Sequence, residues 1–262
     1  MKYILAIETT GAFASVALAK AEFSGGSVTA FEVISRIEGH DRFSHLQNLT
    51  PQIQHVLQEN GSSMNEVSAI AVSAGPGSFT GIRIGVSTAR ALSQVLGIPC
   101  VAVPSLEAMA LRQKHEAGTD IALICPIIDA RRSQVYGGGF CMTQSGEKVE
   151  ERFLTEAIPQ GPYTVDEFVE AIAASDMRRV LFMGDGIDKY QEMIEGLKDV
   201  YGLDCRFEYA PEEYRYQDAE PVAVLGARLA AAGKTCRFDE LQPEYMRQAE
   251  AERKLKEKQN HG

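Results

Sequence analysis

The sequence predicts an α/β chain made by repeating one unit, giving two lobes around a cleft. A repeated hairpin is the first observation behind this. Residues 3–8 are an apolar run that closes on Glu8, residues 9–13 are polar and contain glycine, and residues 14–20 resume with small and β-branched side chains. Residues 121–129 are again an apolar run closing on a carboxylate, Asp129. A polar turn at 130–133 and a strand at 134–140 follow. The second observation is a repeated strand, glycine turn and helix. Residues 69–73 lead into Gly75-Pro76-Gly77, and residues 180–183 lead into Gly184-Asp185-Gly186, each before a helical stretch. Two features recurring in one order mark a duplicated unit. A length of 262 residues accommodates both halves. The expected division is an N-terminal lobe at 1–104, a C-terminal lobe at 105–245 whose last helix packs back on the first, and a charged tail at 246–262.

Helices fill the intervals. Ser44 is the expected cap of a helix carrying Leu46, Leu49, Ile53, Val56 and Leu57 at helical spacing, with Asn60-Gly61 as its stop. Pro51 either kinks this helix or marks where its regular part begins. Residues 166–174 form another, and 221–232 a third, with proline at its start and Gly233 beyond its end. The alternating charges after Tyr245 predict a frayed helix or disorder.

Composition narrows the function. Lys and Arg total 26 against 36 Asp and Glu, a net charge of −10, which argues against unaided binding of nucleic acid. No apolar run approaches the roughly 20 residues of a membrane span, and the opening MKYILAIETT is too short and polar for a secretory signal. The expected address is the cytoplasm. Five scattered cysteines without a CxxC pair read as reduced packing residues rather than disulfide or zinc ligands. Residues 1–110 carry only eight acidic and six basic side chains. Sparse charge suits an interface, and equally a well-packed sheet domain.

The most informative stretch is SAGPGSFTGIRIGVSTARALSQVL at 73–96. Ser78 or Thr80 can cap a helix in which Gly81, Gly85 and Ala89 fall four apart on one face. Each glycine costs about 1 kcal/mol in a helix interior, so their retention calls for close approach of another backbone. That backbone belongs either to the same lobe or to another subunit. Ile82, Ile84, Val86, Ala91, Leu92 and Val95 are mostly apolar, predicting a helix buried on nearly all sides.

The opening ILAIETTGAFASVAL, the block from Ser73 to Ala110, CPIIDARRSQVYGGGF, the Gly184-Asp185-Gly186 turn and PEYMR at 243–247 together resemble the TsaB (YeaZ) family. The resemblance implies the duplicated fold of actin, Hsp70 and the sugar kinases. It also implies a noncatalytic scaffold in the synthesis of threonylcarbamoyladenosine at position 37 of tRNAs reading ANN codons. The implied partners are the transferase TsaD, the ATPase TsaE and, without TsaD, a second copy; tRNA is reached only indirectly. The expected docking patch comprises Leu46, Leu49, Ile53, Phe79, Gly81, Ile82, Gly85, Val86 and Ala89. An arginine at Gly85 is then expected to abolish docking while leaving the monomer folded.

Two other readings use the same resemblance. TsaD-like proteins hold a metal with an HxxxH pair, whereas this chain has Ser105 and Met109 at the matching place, so no metal is expected and a glycoprotease-like metalloprotein is disfavoured. His40, His45 and His55 are not spaced for joint ligation, and His115 and His261 are isolated. A kinase or ATPase would use Glu8, Thr9, Thr10, Gly184 and Gly186 around ATP, with structural turn chemistry as the alternative. No cofactor is expected. Asp129-Ala-Arg131-Arg132 reads as a charge-neutralised turn or as a contact with a partner or tRNA phosphate.

Overall fold

The computed structural model describes residues 2–39, 45–113, 123–144, 146, 148–175 and 177–246. Ser44, the side chains of His45 and Leu46, three further histidines (His40, His115 and His261) and the tail at 247–262 lie outside the described residues. The first unit comprises β1 (Lys2–Glu8), β2 (Ser15–Ser24), β3 (Ser27–Glu38), α1 (His45–Gln58), β4 (Val67–Gly75), α2 (Phe79–Leu96) and β5 (Cys100–Pro104). Helix α3 (Ser105–Arg112) leads to β6 (Leu123–Asp129), β7 (Gln134–Gln144), β8 (Phe153–Thr164), α4 (Val165–Ala174), β9 (Arg179–Met183), α5 (Ile187–Val200) and β10 (Arg206–Tyr209). Helices α6 (Glu212–Arg215) and α7 (Ala219–Ala231) follow.

The two five-stranded sheets have the orders β3-β2-β1-β4-β5 and β8-β7-β6-β9-β10. In each, the first three strands pair antiparallel and the remaining two join in parallel. The topology is thus repeated element for element, as in the duplicated α/β fold of actin and the sugar kinases. Strands β3 and β8 extend the expected hairpins at the sheet edges, where side chains are only partly covered.

Alternation along the strands builds the layers. Leu5 and Ile7 face α1 and α2, whereas Ile4 and Ala6 face α7 and α3. On the second sheet, Cys125 and Ile127 face α4 and α5, while Ile124 and Ile128 face α3. Helices α3 and α7 therefore form the central layer between the sheets. Helix α7 comes close because its contact is made of small residues. A Cβ on Gly226 would lie 2.4 Å from that of Ala71. Asp218 caps α7 by accepting the Glu220 amide, so the helix starts before Pro221.

Candidate functional site

The turn after β1 is held from within. Glu8 is fully buried and accepts hydrogen bonds from the Thr10 amide, from the Thr10 hydroxyl at 2.6 Å and from Ser73 Oγ. Burial pushes its carboxyl above the ordinary range, against the pull of the Ser73 and Thr10 donors. Thr9 turns the other way and donates from Oγ1 to the Gly81 carbonyl at 2.8 Å.

The matching turn of the second lobe uses the same device. Asp129 accepts the Arg131 amide two residues on, at 2.8 Å, and also the Tyr190 hydroxyl at 2.8 Å. Burial pushes the Asp129 carboxyl up, but hydrogen bonds from Tyr190, the Arg131 amide and Lys189 together hold it below the ordinary range. Arg131, Arg132 and Ser133 follow with φ of 67°, 56° and 56°, a left-handed run that needs such anchoring. Arg131 also forms an ion pair with Asp129 at 3.1 Å.

The glycine turn at Gly184-Asp185-Gly186 is closed in a similar way. The Gly184 amide donates to the Arg215 carbonyl at 2.9 Å, and that of Gly186 donates to Ile127 at 3.1 Å. Of the residues expected around ATP, the Glu8 carboxyl, the Thr10 amide and hydroxyl and the Gly184 and Gly186 amides are thus engaged within the chain, which leaves Glu8 poorly placed to hold a phosphate-bound metal. Ser105 and Met109 are core residues, and Met109 packs with Leu106, Ile124 and Met183. Among the described residues, no three His, Cys, Asp or Glu side chains gather as a metal site.

Helix α2 starts with Ser78 as its cap and ends at Gly97 in the left-handed conformation. Its glycine face meets the chain's own lobe. A Cβ on Gly81 would stand 1.9 Å from the Thr9 carbonyl oxygen, and one on Gly85 would stand 2.4 Å from Thr9 Oγ1. Ile82, Val86 and Ala89 lie in the core beneath, with Leu49 and Ile53 of α1. These seven residues therefore do not form an outer patch, which corrects the expected assignment. The reason is that close packing on the β1 turn and the sheet requires the bare face inside. Only Phe79, at 37% exposure, remains outward from the expected set with a described side chain.

The opposite stripe of α2 is open, contrary to a helix buried on nearly all sides. Phe79, Thr80, Arg83, Ser87, Ala91 and Val95 face outward, Val95 at 85% exposure. A groove of about 450 Å³ runs past Phe79, Arg83, Ile84, Ser87 and Thr88. Beside it, α1 presents Thr50, Pro51, Gln54, His55 and Gln58. Charge is sparse here: Arg83 is exposed and Arg90 half-buried on α2, and His55 pairs with Glu59 just beyond α1 at 3.2 Å. The i, i+3, i+4 spacing of 80, 83, 84, 87 and 91 could have revealed this stripe, because it lies opposite the glycines.

A cavity of about 800 Å³ lies beside β3 and the start of α7. At its base, Asp218 is 2% exposed and accepts Arg36 Nε at 2.8 Å, with Arg112 at 3.2 Å. Arg152 is buried nearby and donates to the Leu111 and Arg112 carbonyls. These contacts bind β3, α3 and the 3-10 turn before β8 to α7.

Fold and site define a member of the actin-like duplicated α/β class in which the turn carboxylates serve the chain's own backbone. Residues 40–255 match the family model described as TsaD, tRNA N6-adenosine threonylcarbamoyltransferase. The tRNA threonylcarbamoyladenosine biosynthesis protein TsaB of Bacillus subtilis strain 168 is 32% identical over 98% of this chain and 99% of its own length. The protein of that name from Escherichia coli K12 is 29% identical over 96% and 97%. A Pseudomonas aeruginosa structure described as similar to peptidase YEAZ superposes with a TM-score of 0.68 at 24% identity, covering 94% of this chain and all of that one. The chain belongs to the TsaB (YeaZ) family of tRNA threonylcarbamoyladenosine biosynthesis proteins. Among the described residues, no helix is long and apolar enough to cross a membrane.

Proposed function

We propose that this chain is a noncatalytic docking subunit in the synthesis of threonylcarbamoyladenosine on tRNA. Its outer α1 and α2 face holds a TsaD-type transferase, and a second copy of the chain when the transferase is lacking. A TsaE-type ATPase joins that assembly. The tRNA is reached through these partners, since the charge of −10 leaves the chain unsuited to gripping phosphates alone. The chain works in the cytoplasm and needs no nucleotide or metal of its own.

One observation carries this reading: the groove along α2, bordered by exposed Phe79 and half-buried Ile84, continues into an outward surface of mostly uncharged side chains. The closed β1 turn supports the noncatalytic part, because its donors already engage Glu8. The test is Ser87→Arg, which places a long cation in the groove on an exposed helical position. Co-elution with the transferase of the same organism is expected to be lost, with the melting curve unchanged. Undiminished co-elution would overturn the proposal.

A further inference from the structure

The PEYMR motif has a place in the fold that the docking reading leaves unused. After α7, the chain returns along the first lobe with Leu241 buried among α1 and α2 core residues. The Glu244 amide then donates to the Ala74 carbonyl at the end of β4, at 2.7 Å. Met246 packs against the cluster beneath α3 on the second sheet. Between these anchors, Tyr245 reaches the outer face of α2. Its ring stacks on Phe79 with centroids 4.8 Å apart and planes at 28°. Arg83 donates from Nε to the Tyr245 hydroxyl at 2.9 Å and lays its guanidinium 4.0 Å from the Phe79 ring centre.

Tyr245 and Arg83, of two types enriched at binding hot spots, are thus locked together with Phe79, an aromatic of the kind enriched at interfaces, at the mouth of the groove. Phe79 and Tyr245 are each 37% exposed. Among the described residues, the Arg83 guanidinium meets no carboxylate. Holding its side chain in advance lowers the entropy cost of docking.

We infer that the C-terminal strap at 242–246 is a third component of the docking surface, in which Tyr245 holds Arg83 ready for a carboxylate set beside an apolar side chain on the partner. The inference rests on the docking reading above and commits to the transferase as occupant. Tyr245 is a positioning residue and Arg83 the group that meets the partner.

The test measures affinity for the transferase with the full chain and its Arg83→Ala, Tyr245→Ala, Tyr245→Phe and Ser87→Arg variants, each with a thermal melt. Arg83→Ala and Tyr245→Ala are expected to weaken binding by about tenfold or more, and Tyr245→Phe by less. The double Arg83→Ala/Tyr245→Ala variant should lose far less than the product of the single losses, because both remove one anchor. Arg83→Ala should also flatten the salt dependence of affinity. Arg83→Ala removes only an exposed side chain, so it still decides the matter if Tyr245→Ala loosens the strap. If Ser87→Arg breaks the complex while Arg83→Ala binds like the parent, the strap inference fails and the docking reading stands. If Ser87→Arg binds normally, both fail. Weakening confined to self-association would also overturn the inference.

Discussion

Substituting Gly81 by alanine tests whether the bare face of α2 belongs to its own lobe. Alanine gains about 1 kcal/mol of helix preference over glycine. Against that gain, the new Cβ would lie 1.9 Å from the Thr9 carbonyl oxygen. Relief to an ordinary carbon–oxygen separation of about 3.3 Å requires the turn or the helix to move by more than 1 Å, roughly. The turn resists, because Thr10 is bonded to the buried Glu8 and Thr9 Oγ1 to the Gly81 carbonyl. Overpacking against backbone costs about 3 kcal/mol, and loss of the Thr9 bond adds about 1. The net loss is therefore about 3 kcal/mol, or a fall of roughly 6–12 °C in melting temperature for a chain of this size. Thermal melts followed by circular dichroism measure it directly. Gly85→Arg, with Thr9 Oγ1 already 2.4 Å from the position of its Cβ, should fail to fold rather than give a sound monomer without partners. A Gly81→Ala protein that melts at or above the parent temperature but no longer binds the transferase would refute this packing and return the glycines to the interface.

Asp218→Ala should destabilise by about 3 kcal/mol in urea titrations, because it leaves Arg36 and Arg112 without their buried partner and removes the α7 cap; a loss below 1 kcal/mol, roughly, would mean that the cluster is already solvated. The two turn carboxylates should give opposite pH signatures. Glu8 has a folded pKa above its ordinary 4.5, so the parent loses stability as pH rises from there through the raised value, and Glu8→Gln should remove that fall. Asp129 has a folded pKa below its ordinary 3.8, so its contribution is present above that value and vanishes as pH drops through the lowered one. Unfolding free energies of parent, Glu8→Gln and Asp129→Asn across pH 3–8 separate the two, and slopes of the same sign at both sites would contradict the burial described.

The hairpins were legible because each apolar run closes on a carboxylate and resumes after a polar turn, a local pattern. The glycines also signalled correctly that some backbone comes close. Their spacing does not say which backbone, because the neighbour, Thr9, lies 72 residues upstream of Gly81. Leu49 and Ile53, expected in the docking patch, illustrate a different error. Such a stripe on an amphipathic helix marks the chain's own core, and the outward face of α1 is the polar one. Phe79 was legible as an outward residue, but its anchor was not. Tyr245 meets Arg83 across 162 residues, and no local periodicity records that contact.

The repeated turn device explains why this chain should ignore nucleotide despite its fold. For a phosphate to settle at the first turn, the Thr10 amide and hydroxyl must leave Glu8. Glu8 would then keep only Ser73 as donor while remaining fully buried, next to an arriving anion. A buried carboxylate stripped of donors costs several kcal/mol, comparable to the binding energy of a millimolar ligand, so binding and closure exclude each other. Protonating Glu8 would lessen the repulsion, but the Thr10 amide would still need an acceptor. Calorimetry with ATP and magnesium on the isolated chain is expected to show no binding heat at millimolar nucleotide. Saturable heat from the parent, lost in a Thr10→Val variant, would mean that the turn opens on its own and that Glu8 is a ligand rather than a latch.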